Sequence, residues 1–259
     1  MTNFIASSAL ETLGSDAHGA REAAPSAPRP DAGHHIADTL NLVAEAMAPR
    51  RRIMRGGERL YQIGAPLSQI YLLNSGMFKL VGVSTDGREQ IAAFKFRGDW
   101  LGLGEIDAGR HTCDAVALDT CEVWSVGQAE LFEACARRPA LLRLVVVAMS
   151  GEILREREAA MSAYTLPADA RMAEFLHRWI NALERRGLRA DLINLPLTRA
   201  EIGNHLGMTL ETASRALSRL AQARVISIDD KSRREITVHD AARLDAYVRE
   251  RSTSGTAGG

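Results

Sequence analysis

The feature that most constrains the fold is a pair of short helices predicted within residues 197–220, LTRAEIGNHLGMTLETASRALSRL. Thr198 and Glu201 fit a capping box, in which each side chain accepts a hydrogen bond from the other residue's backbone N–H. Gly207 can adopt the left-handed backbone conformation that ends a helix. Thr209 is a good N-cap for a second helix. The stretch therefore predicts two helices joined by a tight turn, which is a helix-turn-helix arrangement.

The second of these helices has two contrasting faces. At about 100° per residue, its small and aliphatic side chains fall on one side; these are Ala213, Ala216, Leu217 and Leu220. The opposite side is polar and carries Glu211, Ser214, Arg215 and Ser218. One side can therefore pack on the protein while the other remains free for a partner.

The polar side chains are of the types that read DNA bases. An arginine can form two hydrogen bonds with guanine, a glutamate can accept one from cytosine N4, and a serine can bond several base edges. In a helix-turn-helix such contacts come from the N-terminal part of the second helix. We therefore predict sequence-specific binding of double-stranded DNA through Thr209, Glu211, Ser214, Arg215 and Ser218. The alternative is a solvated helix in which Glu211 and Arg215 form an ion pair one turn apart.

Two short strands are predicted after the second helix, over residues 225–228 and 235–238, with a polar turn between them. Arg233 and Arg234 lie in this hairpin, where their side chains can reach phosphate. Phosphate contacts add affinity without reading the base sequence. The hairpin is therefore predicted to be a wing with Arg233 in the DNA interface. A surface hairpin with two solvated arginines is the alternative.

Composition argues against several other classes of protein. The chain of 259 residues has 32 Lys and Arg against 32 Asp and Glu, so no global positive field attracts it to nucleic acid. Its three cysteines and the lack of a signal-peptide pattern indicate a reducing, cytoplasmic setting. It has no apolar run near the roughly 18 residues of a membrane-spanning helix, and no motif of the common hydrolases or nucleotidases. We therefore expect neither a membrane protein nor an enzyme.

Patterns along the chain divide it into five segments. Residues 1–37 are rich in Ala, Ser, Pro and Gly and are predicted to be a disordered tail, and a helix is predicted over residues 37–47. Short β-type runs between glycines predict a small β-roll or jelly roll over residues 38–137. A long helix over residues 138–166, a winged helix-turn-helix over residues 167–250 and a flexible tail over residues 251–259 follow. The predicted fold class is α+β.

The long helix carries an apolar stripe that one small domain cannot cover. The residues predicted to form a dimer interface on it are Leu142, Val145, Met149, Ile153 and Ala160. A second copy would cover the stripe through a parallel two-helix seam. A homodimer also suits DNA reading, because two helix-turn-helix units bind half-sites about one DNA turn apart. Packing of the stripe within one chain is the alternative.

In this order the segments resemble the CRP/FNR superfamily of bacterial transcription regulators over residues 38–245. Similarity to the FNR/FixK branch is carried by GDWLG at 98–102, MSGEI at 149–153, EIGNHLG at 201–207 and ETASR at 211–215. The last resembles the E-x-x-S-R recognition motif of FNR. The resemblance implies a β-roll like that of cyclic nucleotide-binding domains, a dimerisation helix and a C-terminal winged helix-turn-helix. It also implies a TTGAT–ATCAA palindrome as target and contact with RNA polymerase, for which the loop at residues 84–89 is a candidate.

The chain departs from FNR in its sensing chemistry. FNR holds an iron–sulfur cluster on four cysteines, three of them before the β-roll, and such a cluster needs its full set of thiolates. This chain has no cysteine before Cys113, although Cys121 matches the β-roll cysteine of FNR. A 4Fe–4S cluster of the FNR type is therefore not expected. Cys113, Cys121 and Cys135 are predicted to be small buried side chains.

Cyclic AMP is not expected either. The pocket of CRP uses a Gly-Glu pair and a later Arg-Ser pair that clamps the phosphate. Gly104 and Glu105 match the first pair, but residues 110–113 read RHTC and lack the second. No cofactor is therefore predicted.

These patterns and the resemblance together predict a homodimeric, cytoplasmic transcription regulator of the FNR/FixK type, acting as an activator. The alternative is a CRP-like switch that senses a different ligand or a haem. His111 would be a candidate haem ligand in that case.

Overall fold

The N-terminal part of the protein is a roll of antiparallel strands preceded by a helix. The computed structural model describes residues 32–229 and 235–254, so most of the predicted N-terminal tail and residues 255–259 lie outside the described part. In chain order the elements are helix α1 (Ala32–Ala46), strands β1 (Arg50–Met54), β2 (Arg59–Tyr61), β3 (Gln69–Ser75), β4 (Met77–Val83), β5 (Glu89–Phe96) and β6 (Trp100–Leu101), a 3-10 turn (Leu103–Glu105), and strands β7 (Asp114–Ala117) and β8 (Cys121–Gly127).

The strands form two antiparallel sheets, in the orders β1-β8-β3-β6 and β2-β7-β4-β5. Within β3, Ile70 and Leu72 are buried and the residues between and before them are partly exposed, as the period of two in a strand requires. Side chains of both sheets, among them Leu73, Phe78 and Val123, meet in one apolar cluster. The predicted β-roll is confirmed.

Helix α1 begins within the segment predicted as a disordered tail of residues 1–37. Its side chains Leu40 and Val43 are buried, and the two contribute to a cluster shared with the helix that follows the roll. Burial of this apolar side offsets the entropy of ordering the segment. The helix predicted over residues 37–47 is therefore present, and it begins earlier, at Ala32.

Two helices follow the roll, α2 (Gln128–Arg137) and α3 (Pro139–Thr165). Helix α3 agrees with the long helix predicted over residues 138–166, and Pro139 stands in its first turn, where proline is tolerated. Leu141 and Val145 of α3 pack on α1 and α2 in the same apolar cluster. Among the described residues, neither α3 nor any other helix combines the length and the apolar character needed to cross a membrane.

Val145 corrects one detail of the predicted dimer interface. Its side chain is 7% exposed and packs inside its own chain, whereas Leu142 is 50% exposed. At about 100° per residue, Val145 lies only about 40° around the helix from the fully buried Leu141, on the side of α3 that packs against its own chain. Val145 therefore belongs to the core of its own chain.

The C-terminal part combines four helices with a small antiparallel sheet. Its elements are α4 (Ala168–Glu184), β9 (Leu192–Asn194), α5 (Arg199–His205), α6 (Leu210–Gln222), β10 (Ile226–Ile228), β11 (Glu235–Val238) and α7 (Ala241–Ser254). The sheet order is β10-β11-β9. Met172, Leu176 and Ile180 of α4 are fully buried at the centre of this part.

Helix α7 includes residues 251–254, which were predicted to belong to a flexible tail. Leu244 and Tyr247 of this helix are buried in the same core and hold the helix in place.

Gly76, between β3 and β4, offers a test of the roll. Its φ is +82°, and a Cβ there would lie 2.6 Å from Cys121 Sγ and 2.8 Å from Cys121 Cα. We predict that Gly76→Ala lowers the free energy of unfolding by about 2–4 kcal/mol, measured by urea denaturation, through backbone strain and overpacking. Gly57→Ala is the matched control, because Gly57 has a φ of +88° but open space where the Cβ would be. Equal losses in the two variants would contradict the steric argument.

Candidate nucleic-acid interface

Helix α5 begins with the capping box that the sequence predicts. The Thr198 hydroxyl accepts a hydrogen bond from the Glu201 N–H at 3.2 Å, and the Glu201 carboxylate accepts one from the Thr198 N–H at 2.8 Å. Ile202 and Leu206 are buried on the inner side of the helix. The cap therefore sets where α5 begins, and the apolar pair sets how it is rotated.

The turn between α5 and α6 is closed by main-chain contacts. Gly207 has a φ of +62°, and the Met208 N–H donates to the Gly203 carbonyl oxygen at 2.9 Å. A Cβ at Gly203 would lie 2.8 Å from the Met208 carbonyl oxygen, so the turn can approach α5 this closely because Gly203 has no side chain. The Thr209 hydroxyl then caps α6 by accepting from the Thr212 N–H at 3.2 Å. The predicted helix-turn-helix is confirmed.

Helix α6 separates its two faces as predicted. The apolar residues are at most 2% exposed and pack into the domain core; they are Ala213, Ala216, Leu217 and Leu220. On the other side Glu211 and Arg215 are exposed and Ser214 is partly exposed. Ser218 is exposed as well, and its hydroxyl donates to the Ser214 carbonyl oxygen at 3.0 Å. The structure thus brings Glu211, Ser214 and Arg215 together on one open surface.

The N-terminus of α6 stabilises Glu211 as an anion. Its pKa is lowered chiefly by a hydrogen bond from its own backbone N–H and next by one from the Thr209 hydroxyl, while the charge of Arg215 contributes less. The carboxylate is therefore an acceptor at neutral pH, as contact with cytosine N4 requires. The end of α6 thus lowers the pKa of Glu211 more than the charge of Arg215 does.

A buried carboxylate that the sequence did not single out anchors the other end of α6. Asp169, in the first turn of α4, is 5% exposed and accepts a hydrogen bond from the Tyr247 hydroxyl at 2.9 Å. Arg219 of α6 and Arg251 of α7 approach the same carboxylate at 3.5 Å and 3.6 Å. Asp169 therefore connects three helices. In the sequence, Asp169 shows only as an acidic residue in the first turn of a helix. Many solvent-exposed residues share that feature, so it does not single out Asp169.

The strands of the predicted wing are present after α6. Strands β10 and β11 pair antiparallel, with Ile226 opposite Val238, and β9 adds a third strand that was not predicted. Arg233, a predicted DNA contact, lies outside the described residues together with Arg234. Its contact with phosphate stays a prediction.

A β-roll, a long helix and a winged helix-turn-helix with an open polar face define a DNA-binding transcription regulator. Comparison with protein families agrees with this class. Residues 51–138 match the cyclic nucleotide-binding domain and residues 170–247 match the Crp-like helix-turn-helix domain.

Similarity to individual proteins narrows the class of transcription regulator further. The chain is 32% identical over 207 residues to the anaerobic regulatory protein of Pasteurella multocida, which covers 80% of this chain and 73% of that protein. It is 31% identical to the fumarate and nitrate reduction regulatory protein of Vibrio cholerae, with 80% of each chain covered. The structure of FixK2 from Bradyrhizobium japonicum, 28% identical, matches with a TM-score of 0.67 over 77% of this chain and 97% of that one. The chain therefore belongs to the CRP/FNR family of transcription regulators.

The residues that correspond to a cyclic nucleotide pocket are bonded to one another. The buried Glu105 carboxylate lies 2.6 Å from His111 Nδ1 and accepts hydrogen bonds from the Thr112 N–H at 2.8 Å and hydroxyl at 2.9 Å. His111 stacks on Tyr61 with ring centroids 3.6 Å apart. Arg110, the arginine nearest in sequence to the family's phosphate clamp, is exposed. The Glu105 carboxylate, which matches the glutamate of the family's Gly-Glu pair, thus has hydrogen-bond partners within the chain.

An iron–sulfur cluster of the FNR type requires four thiolates, and this chain has three cysteines. All three are buried, as predicted. Cys113 and Cys121 lie in the interior of the roll, whereas Cys135 lies in the cluster beneath α2 and α3. Burial is the main cause that raises the pKa of Cys113 and of Cys121 to about 12, so both are neutral thiols.

Glu105 makes the stability of the roll sensitive to acid. Burial alone would raise its pKa, but hydrogen bonds from His111 and Thr112 outweigh burial and hold the pKa below its ordinary value of 4.5. Since the folded-state pKa is the lower one, the carboxylate stabilises the fold above the unfolded-state pKa. This contribution is lost as the pH falls through the folded-state pKa.

We therefore predict that Glu105→Gln lowers the free energy of unfolding by about 1–3 kcal/mol at neutral pH. The difference should shrink as the pH falls below the ordinary glutamate value of 4.5. Urea denaturation of both proteins across this range measures it. A difference that does not change with pH would contradict the assignment.

Proposed function

We propose that the protein is a homodimeric transcription activator of the FNR/FixK type that reads a TTGAT–ATCAA palindrome. The observation that carries the proposal is the open face of α6, where Glu211, Ser214 and Arg215 stand together. The segment ETASR at residues 211–215 resembles the recognition motif E-x-x-S-R of FNR. Relatives named anaerobic regulatory protein and fumarate and nitrate reduction regulatory protein support a target of this kind.

The chemistry of the half-site suits these side chains. TTGAT contains a single G·C pair, whose guanine offers O6 and N7 to the Arg215 guanidinium and whose cytosine offers its N4 amino group to Glu211. Ser214 can bond a neighbouring base edge. Thr209 and Ser218 flank this surface. Together with Arg233 they are proposed to contact the DNA backbone or adjacent bases.

The second copy is proposed to bind along α3. The exposed or partly exposed residues of the seam are Leu142, Val146, Met149, Ile153 and Ala160. Successive members of this set are four, three, four and seven residues apart, which is the heptad pattern of a two-helix coiled coil. Val146, 52% exposed, takes the place that the buried Val145 was predicted to hold.

Activation requires contact with RNA polymerase, for which we propose the loop at residues 84–89. The loop between β4 and β5 is exposed along its whole length. Two main-chain hydrogen bonds of 2.9 Å, from the Ser84 N–H to Arg88 and from the Gly87 N–H to Ser84, make it a tight turn. A preformed exposed turn loses little entropy when it binds a protein surface.

We further propose that the protein works in the cytoplasm and that neither an FNR-type cluster nor cyclic AMP controls it. The donor sets for both groups are incomplete, as described above for Glu105 and the three cysteines. A haem-sensing role gains no support from His111, because its ring is buried against Tyr61 and bonded to Glu105.

Direct base reading is tested with Arg215→Ala. We expect the variant to lose about 1–3 kcal/mol of binding free energy on the palindrome and little on a scrambled duplex, measured by gel shift at one salt concentration. Arg215→Lys is the matched control, because it keeps the charge but loses the paired hydrogen bonds to guanine. Equal losses on both duplexes, or full rescue by lysine, would contradict direct reading.

The dimer seam is tested with two residues of α3 that are each 47% exposed, Ile153 and Leu154. They lie about 100° apart around the helix, so only Ile153 falls in the proposed seam. We expect Ile153→Glu to sediment as a monomer, because a buried unpaired carboxylate opposes association, and Leu154→Glu to remain a dimer. A monomeric wild-type protein, or dissociation by both substitutions, would show that the seam is wrong.

A further inference from the structure

Strand β5 has an open edge, because it pairs with β4 on one side and ends its sheet on the other. An open edge leaves backbone N–H and C=O groups that another element can bind. Here the Asn204 side chain at the end of α5 does so: its Oδ1 accepts from the Ile91 N–H at 2.6 Å, and its Nδ2 donates to the Glu89 carbonyl oxygen at 2.8 Å. One carboxamide thus forms two of the hydrogen bonds that a neighbouring strand would form on this edge.

Further contacts secure the same junction. Gln90 Nε2 donates to the Asn204 carbonyl oxygen, and His205 Nδ1 donates to the Ile91 carbonyl oxygen at 3.0 Å. Burial lowers the pKa of His205 below its ordinary value of 6.5. Lys79 of β4 pairs with the capping-box residue Glu201 at 2.6 Å.

Aromatic rings pack beside these hydrogen bonds. Phe94 of β5 lies 4.8 Å from the His205 ring and 5.4 Å from the Trp179 ring, between centroids. Phe96 contacts Trp179 at 4.9 Å. The contact between β5 and the C-terminal part therefore combines hydrogen bonds with aromatic packing.

The junction uses α5 and leaves the recognition face of α6 untouched. Glu211 and Arg215 remain exposed while Asn204 and His205 bind the roll. Because the Gly203–Met208 contact joins α6 closely to α5, the direction in which α6 points is set by where α5 sits on β5.

We propose that Asn204 is a positioning residue for DNA reading. Its carboxamide binds the reading domain, which comprises the elements from α4 to α7, to the edge of β5. It thereby sets the distance between the two α6 helices of the dimer. The proposal rests on the dimer and the palindrome of the proposed function. Lys79, on the roll, supports the same position through Glu201. The consequence is selectivity for the spacing of the half-sites.

The affinity for palindromes with different distances between the half-sites tests this role directly. Each inserted base pair moves a half-site by about 3.4 Å and turns it by about 35° around the DNA axis. Two rigidly held helices cannot follow such a change, whereas two loosely tethered ones can. A substitution that affects stability alone would leave the relative affinities for different spacings unchanged.

The experiment measures the affinity of the full-length protein for palindromes with the original spacing and with one base pair added or removed. We expect Asn204→Ala to bind the original spacing about tenfold more weakly, and to lose about tenfold of its preference over the altered spacings, equivalent to losing one or two net hydrogen bonds. Lys79→Gln should shift the preference in the same direction, although it changes no residue of the reading domain. Lys79→Arg should retain the wild-type preference.

Arg59→Gln is the matched control on the roll. Arg59 pairs with Asp114 at 3.2 Å, a contact between β2 and β7 that does not involve α5. This variant should keep the wild-type spacing profile. Unchanged profiles in both Asn204→Ala and Lys79→Gln would overturn the inference, while a wild-type protein without preference for the palindrome would overturn the proposed function and the inference with it.

Hydrogen exchange tests the junction without DNA. The Ile91 amide should exchange slowly in the wild-type protein and much faster in Asn204→Ala, because Asn204 is its acceptor. The Val126 amide, within the central strand β8, serves as the internal reference in the same sample. Equally fast exchange of Ile91 in both proteins would show that Asn204 does not hold the edge in solution.

Discussion

DNA reading by this protein depends on one packing constraint, which is that α6 must be buried along one side and open to water along the other. Ala213 and Ala216 are small enough for α6 to lie close to its neighbours, and Leu217 and Leu220 remove apolar surface from water. A rotation of α6 by one residue, about 100°, would carry Arg215 towards the core. The threonine caps and the close approach at Gly203 oppose such a rotation, and Asp169 opposes it from the far end.

The roll keeps the fold of its family, and a group of its polar side chains is bonded within the chain. Glu105, His111 and Thr112 satisfy one another, and Tyr61 covers the imidazole. A shared fold does not carry a shared ligand, because binding depends on which groups remain unpaired at the site. With its interior occupied, the roll still offers the open edge of β5, and that edge holds the reading domain through Asn204.

Local sequence patterns were sufficient for the reading domain. The caps at Thr198 and Thr209 form the predicted hydrogen bonds. The same reasoning misplaced Val145, because a stripe of apolar residues does not reveal which of its edges is covered by the same chain. It also assigned the first residues of α1 and the last residues of α7 to tails, where short helical segments continue from the parts of α1 and α7 that contact α3 and α4.

The sequence by itself determined the helix-turn-helix, the polar face of α6 and the absence of an FNR-type set of cysteines, because caps, helical period and residue counts act over a few neighbouring positions. The tertiary structure decided what depends on distant partners. Asn204 and Ile91 are 113 residues apart, and Tyr247 and Asp169 are 78 apart. Contacts of this kind leave no periodic trace in the chain, since they depend on the geometry with which separately folded elements meet.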